Sequence, residues 1–308
     1  MQQSAVLCDL LGIRYPVMQG GMAHISDARL AAAVSNGGGL GIISAASGNP
    51  EQIAAQIDEA RSLTDQPFGV NIMLRGDNIE AIAKLIVEKK VPVVTTGAGS
   101  PAAFIPMWRE AGVKVIPVIS TAAMAQLMEK SGADAVVAEG TESGGHVGEM
   151  TTMALVPQVC DAVKIPVIAA GGIADGRGFA AAMMLGAVGV QIGTRFLAAE
   201  ECSIAAEYKD RVLKAKDSST IVTGRRLGHP VRSLKSAFSR SYAKVEYTDI
   251  SDADLEAMAV GTLRAAVVDG DPKRGCFLAG QVSGMVNRVQ PAAEIISEIM
   301  EQANQLLK

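Results

Sequence analysis

His146 lies in the run Glu142-Ser143-Gly144-Gly145-His146, inside ESGGHVGEM. A histidine can give or take a proton near neutral pH, and a glycine setting lets it approach a ligand closely. Two further turns, Gly171-Gly172-Ile173 and Gly193-Thr194-Arg195, suit a different task. Without a side chain in the way, backbone N–H groups can meet a phosphate, and a short helix start adds a favourable dipole. The bland alternatives are glycines that only turn the chain and a His146 bonded to a neighbouring carbonyl. His24, beside Gly20-Gly21-Met22-Ala23, is a weaker candidate, and Cys202 reads as an inert buried thiol. The three histidines, 24, 146 and 229, are far apart and have no carboxylates at ligand spacing, so no metal site is expected. GxSxG is absent as well. Glycine-rich strand ends with few acid–base groups fit a cofactor that carries the chemistry itself.

Something must hold these turns together. Short, nearly continuous apolar runs recur along the chain: PVMQGG (16–21), GLGIISA (39–45), FGVNIML (68–74), VPVVTTG (91–97), VKVIPVIS (113–120), ADAVVAEG (133–140), IPVIAAGG (165–172) and AVGVQIGTRF (187–196). Such runs predict strands buried on both faces. Between them lie helix-like segments at 26–36, 51–63, 78–89, 101–110, 121–130, 152–163, 178–185 and 202–213, with Asp27, Thr64 and Asp175 as cap or turn residues. Strand then helix, repeated eight times, predicts an α/β fold of the (β/α)8 TIM-barrel type. An open doubly wound sheet is the alternative. In a barrel the loops at the C-terminal strand ends build the site, and those after strands seven and eight often hold phosphate.

The pattern breaks after about Leu213. SYAKVEYTD (241–249) reads as strand-like and SDADLEAMAVGTLRAAVVDG (251–270) as helical, which predicts a small inserted lobe. The expected division is a barrel of residues 1–215 and 276–308 around a substrate or nicotinamide lobe of 216–275. A helix from about Pro291 to Leu307 closes the chain.

Composition narrows the classes. Apolar residues make up 49% of the 308 and charged residues 19%, enough apolar surface for a substantial core. The net charge of −4 argues against nucleic acid as a partner, and no stretch reads as a membrane span. MQQSAVLCDLLGIRYPV lacks the pattern of a secretory signal, and the four cysteines form no CxxC motif. A cytoplasmic setting is expected. One local feature opposes the overall charge: Arg225, Arg226, Arg232, Lys235, Arg240 and Lys244 occur between 224 and 244 without an Asp or Glu. This run is either a solvated face or a surface for an anionic substrate, with Arg232 and Lys235 the residues to test.

PVMQGGMAHISDARLAAAVSNGGGLGIIS resembles the opening of the nitronate monooxygenase-like flavin barrels. Within that group, AEGTESGGHVGEMTTMALVPQV, PVIAAGGIADGRGFAAAMMLGAVGVQIGTRF, GHPVRSLKSAF and AGQVSGMVN resemble the FabK-like, FMN-dependent enoyl-acyl carrier protein reductases of bacterial fatty-acid synthesis. The resemblance implies an oxidoreductase that takes hydride from NADH or NADPH through FMN to the β-carbon of a trans-2-enoyl thioester. It also implies a monovalent cation and a homodimer. Carried onto this chain, Gly21, Met22, Ala23 and Asn71 line the flavin ring, and Gly171, Gly172, Gly193 and Thr194 hold its phosphate. Thr96, Ser143, Gly145, Ala170 and Gln191 belong to the same cofactor site, and His146 is the active-site histidine. The rival readings are nitronate monooxygenase, with oxygen as acceptor, and a flavin-binding barrel without turnover. An inosine-monophosphate-dehydrogenase-like enzyme would need a cysteine where residues 142–146 stand.

Overall fold

The eight apolar runs become eight parallel strands, each too apolar on both sides to face water. They are β1 (Val17–Gln19), β2 (Gly41–Ser44), β3 (Phe68–Met73), β4 (Val93–Gly97), β5 (Lys114–Ile119), β6 (Val136–Glu139), β8 (Val167–Ala170) and β9 (Gly189–Ile192). The two-residue strand β7 (Gly145–His146) lies outside this sheet. The spatial order β1-β9-β8-β6-β5-β4-β3-β2 closes on itself where Met18 bridges Leu40. This computed structural model describes residues 2–46, 48–75 and 78–308. The barrel expectation is met, and the open-sheet alternative is not.

Alternation along each strand sorts its side chains into two layers. Met18, Ile42, Val93, Ile116, Val137 and Ile168 fill the barrel interior, where Leu7 and Leu11 of the first helix (Gln2–Leu11) join them. That helix plugs the N-terminal end of the barrel, so only the C-terminal end is left to bind anything. Phe68, Val70, Ile72 and Val94 point outward against Ile82, Ile86 and the fully buried Trp108. Asp27 and Asp175 cap the helices Ala28–Asn36 and Gly176–Met184 through side-chain bonds to backbone N–H groups, as expected.

Two elements differ from the sequence reading. The helix Ala206–Leu213 forms where one was expected, but it does not occupy the eighth helical position of the barrel. That place is taken by the C-terminal helix Ala292–Leu306, which packs between Gly176–Met184 and Ala28–Asn36. Gly176 N–H donates to Gln302 Oε1 at 2.7 Å, and a Cβ on Gly176 would fall 2.5 Å from the Ala303 nitrogen. The second difference is the segment read as strand-like at 241–249, most of which lies in a helix, Ala237–Val245. Its start is fixed by a Ser236–Ser239 capping box, and Phe238 and Tyr242, four residues apart, bury one face. The apparent alternation of SYAKVEYTD yields to that upstream cap.

Between the helices Ala206–Leu213 and Ala237–Val245, β10 (Thr220–Thr223) and β11 (Val231–Leu234) form an antiparallel hairpin. β11 also pairs with β7, setting Val231 opposite His146 and Arg232 opposite Gly145. A segment from beyond the eighth barrel strand is thereby tied to the loop after the sixth.

Candidate active site

A cleft of about 480 Å³ opens at the C-terminal end of the barrel. Its wall on one side is the loop after β1. Gln19 and Ser26 fasten that loop: Gln19 Nε2 donates to Ser26 Oγ at 2.7 Å and to the Gly20 carbonyl, and Met22 N–H donates to Ser26 Oγ at 2.9 Å. Gly21, Met22 and Ala23 line the cleft as a result. Gly21 presses so closely on the next wall that a Cβ there would fall 2.3 Å from Asn71 Cβ. Asn71 Nδ2 donates to Thr95 Oγ1 at 2.9 Å, which fixes the amide and leaves its oxygen free toward the cleft.

The two glycine turns follow β8 and β9. Gly171 and Gly172 have φ of 87° and 73°, the left-handed region that favours glycine. A Cβ on Gly171 would lie 2.7 Å from the Gly140 carbonyl oxygen. Gly193 is different: its φ is −108°, and a Cβ there would meet nothing nearer than Met22 Sδ at 3.7 Å. The need for glycine at 193 is therefore open cleft space rather than backbone conformation. Thr194 Oγ1 accepts from Gly280 N–H at 2.9 Å, leaving its hydroxyl proton for another partner. Ala170, Gln191, Ser143 and Gly145 also line the cleft, and the buried Ser143 hydroxyl has no hydrogen-bond partner among the described residues.

Thr96 is the exception among the residues assigned to the cofactor. It does not line the cleft. Thr95 shares the inward face with Val93, so the next residue along the strand points to the helical layer. The inward hydroxyl at this level is that of Thr95. His24 does not line the cleft either and serves as a turn residue at φ 61°. Cys202 is buried, with its thiol pushed up to about 11 by that burial, an inert group as expected.

His146 reaches the rim of the cleft from β7. Its loop is not loose, because the β11 register fixes the backbone on one side. Partial burial lowers the imidazole pKa, and the positive charges of Arg75 and His229 lower it further. The ring is thus neutral at pH 7.

Three cleft residues escaped the sequence reading. Glu139, the last residue of β6, lines the cleft in register with Ala170. Enclosure pushes its carboxyl up to about 7, and the nearby Ser143 hydroxyl offsets part of that rise without closing a well-formed hydrogen bond. A lone charge at the end of an apolar strand was the available signal, with the parity of Ala135 and Val137 giving its direction. Arg75 and His229 face each other at the rim, with Arg75 Nη1 3.0 Å from His229 Nδ1. Both are ordinary surface residue types in sequence, and only the fold brings them together.

The basic run of 224–244 does not form one surface. Arg232 is 7% exposed, donating from Nε to the Thr141 carbonyl at 3.1 Å and from Nη1 to Thr220 Oγ1 at 3.1 Å. Arg226 donates to the carbonyls of Glu246, Thr248 and Ile250 and pairs with Asp252 at 2.8 Å. These two guanidiniums brace the segment internally. Among the described residues, no group of three His, Cys, Asp or Glu side chains is arranged to hold a metal ion, and no helix is long and apolar enough to cross a membrane.

Comparison with known proteins gives the geometry a context. The nitronate monooxygenase family model matches residues 4–302. The structure of FabK from Thermotoga maritima is similar at a TM-score of 0.96 and 48% identity, covering 98% of this chain and 96% of that one. A probable nitronate monooxygenase of Staphylococcus aureus is 34% identical, covering 98% of each chain. An indene-carboxyl-CoA dehydrogenase of Mycobacterium tuberculosis is also 34% identical, over 98% of this chain and 97% of its own. The FabK-like resemblance read from the motifs agrees with the first of these structures along nearly the whole chain, hairpin included. From the loop after β1 to the C-terminal helix, sequence and fold agree, and the chain belongs to the nitronate monooxygenase family.

Proposed function

We propose that this protein is an FMN-dependent enoyl-acyl carrier protein reductase that draws hydride from NADH or NADPH. The observation that carries the reading is the 48% identity and near-complete structural overlap with FabK, well above the 34% shared with the probable nitronate monooxygenase. The relative named as a carboxyl-CoA dehydrogenase adds an acyl thioester to the chemistry found among similar chains.

The residues fit the cofactor. Left-handed glycines at 171 and 172, open space at Gly193 and the unpaired Ser143 hydroxyl suit a phosphate on a polar tether. A bound FMN would supply the hydride-carrying chemistry between the nicotinamide and the β-carbon of the enoyl thioester. In this reading Gly171, Gly172, Gly193 and Thr194 hold the phosphate, while Gly21, Met22, Ala23, Asn71 and Gln191 face the ring. Ser143, Gly145 and Ala170 complete the walls.

The chain then has one further duty, the charge that develops on the thioester oxygen as the β-carbon takes hydride. Backbone amides of the glycine turns would donate to that oxygen, and His146, which lines the cleft, would pass a proton to the α-carbon or orient the substrate. The segment 216–275 acts as a lobe that holds His146 in place and receives the substrates. A homodimer, a bound monovalent cation and a cytoplasmic setting complete the proposal, supported by the family resemblance.

The test is to measure turnover with the two acceptors. The reductase oxidises NAD(P)H with a crotonyl thioester. An enzyme that ignores the thioester and consumes oxygen with an alkyl nitronate would be a monooxygenase instead.

A further inference from the structure

Arg75 and His229 come from opposite sides of the cleft, one from the loop after β3 and the other from the hairpin turn between β10 and β11, and they meet at 3.0 Å. Both are basic. A guanidinium carries donors only, so this contact gives neither side chain a neutralising charge. Among the described residues, Arg75 has no carboxylate partner, and the only carboxylates lining the cleft are Glu139 and Glu142. Glu142 is occupied by the N–H and hydroxyl of Thr152, at 2.9 Å each, and Glu139 ends a barrel strand. A third basic group, His146, is near enough to feel the charge of both. The rim therefore brings two basic side chains into contact with no acidic counterpart among the described residues. Two basic side chains so placed gain little from each other and much from an anion that both can contact.

We propose that Arg75 and His229 form a clamp for a phosphate ester of the incoming substrate, supplied either by the dinucleotide or by the phosphopantetheine arm of the thioester. The inference rests on the reductase reading. It accounts for a feature that the cofactor site leaves unused, since neither residue belongs to the glycine turns assigned to the flavin phosphate. A reacting ring or acyl group seated over the barrel mouth leaves its phosphate at the rim, where the hairpin meets the β3 loop. The clamp also couples binding to chemistry. An anion held by Arg75 and His229 offsets the positive charge that lowers the proton affinity of His146, so the arriving substrate favours the protonated imidazole.

Phosphate-bearing and phosphate-free substrates separate the two sources. For the donor, anaerobic flavin bleaching is compared with NADH and with 1-benzyl-1,4-dihydronicotinamide, in the wild type and in Arg75→Gln and His229→Gln. For the acceptor, reoxidation of the reduced protein is compared with crotonyl-phosphopantetheine and crotonyl-pantetheine. The clamp predicts that each variant lowers the preference for the phosphate-bearing member about 10- to 100-fold in one arm, the loss of a charge-assisted hydrogen bond. The affected arm names the source. Preferences unchanged in both arms overturn the clamp. A wild-type protein that neither donor bleaches overturns the reductase reading, and the clamp with it.

Discussion

Gly145 and Arg232 stand opposite one another in the ladder between β7 and β11, one step from the pair His146 and Val231. The Arg232 guanidinium then reaches past this ladder to the Thr141 carbonyl, at the start of the same loop. One hairpin thus fixes both the backbone of the proposed active-site histidine and the root of the loop that carries it. The position of His146 over the cleft is a property of the segment beyond β9 as much as of β6.

Arg232→Met should accordingly act on stability and on His146 placement rather than on electrostatic attraction of substrate. The change leaves the half-buried Thr141 carbonyl without its donor, a loss of about 1 kcal/mol. Chemical denaturation should show that loss, with kcat reduced and little change in the salt dependence of KM. Lys235→Glu, at an exposed position whose amine only meets the Ser218 carbonyl, should leave the unfolding midpoint nearly unchanged.

Replacing His146 by Ala should spare flavin content and abolish most enoyl reduction. General acid–base groups contribute about 10²–10⁴-fold. Stopped-flow measurement of the two half-reactions locates the effect: slowed reoxidation by the thioester supports proton transfer, whereas slowed bleaching by NADH points to nicotinamide positioning. Wild-type rates in both would leave the residue without a role.

Gly193→Val and Gly172→Val test the phosphate cradle in different ways. At Gly172 the backbone is left-handed, so valine adds strain and local misfolding becomes a competing outcome. At Gly193 the φ of −108° accepts any residue, and the new side chain enters open cleft. Gly193→Val is expected to unfold at the temperature of the wild-type apoprotein yet purify colourless. Full flavin occupancy in this variant would remove Gly193 from the site.

Glu139 gives a pH signature in the apoprotein. Its carboxyl titrates near 7 when folded against 4.5 ordinarily, so between these values the folded chain keeps a proton that the unfolded chain has released. Stability contributed by this group therefore falls as pH rises through that window and stays lower above it. With solvent reaching the cleft, the difference should be on the order of 1 kcal/mol. Urea titrations at pH 5 and pH 8 should show it in the wild type and not in Glu139→Gln; equal pH dependence in both would place the titration elsewhere.

The barrel was legible because each strand is apolar on both faces and bounded by glycine or proline, a pattern that needs no long-range information. The same local logic pointed to the glycine turns and His146, whereas Asn71 came from the family resemblance. Parity was harder: Thr95 and Thr96 are equivalent by composition, and only the register with Asn71 shows which hydroxyl is inside. The identity of the eighth barrel helix depends on packing between segments more than a hundred residues apart, as Gly176 with Gln302 shows. The Arg75–His229 contact spans a similar distance along the chain and left no trace in either local run. The basic run of 224–244 carried a real signal of unusual composition, but charge counting could not show that Arg226 bonds mainly to backbone carbonyls and that Arg232 is buried against Thr141 and Thr220.

The most direct test of the whole account is an anaerobic visible spectrum of the purified protein, recorded first alone, then after NADH or NADPH, then after crotonyl-CoA. The account predicts a yellow protein whose flavin absorbance is bleached by the nicotinamide and restored by the enoyl thioester without oxygen. A colourless protein, or a bleached flavin that only oxygen restores, would contradict it.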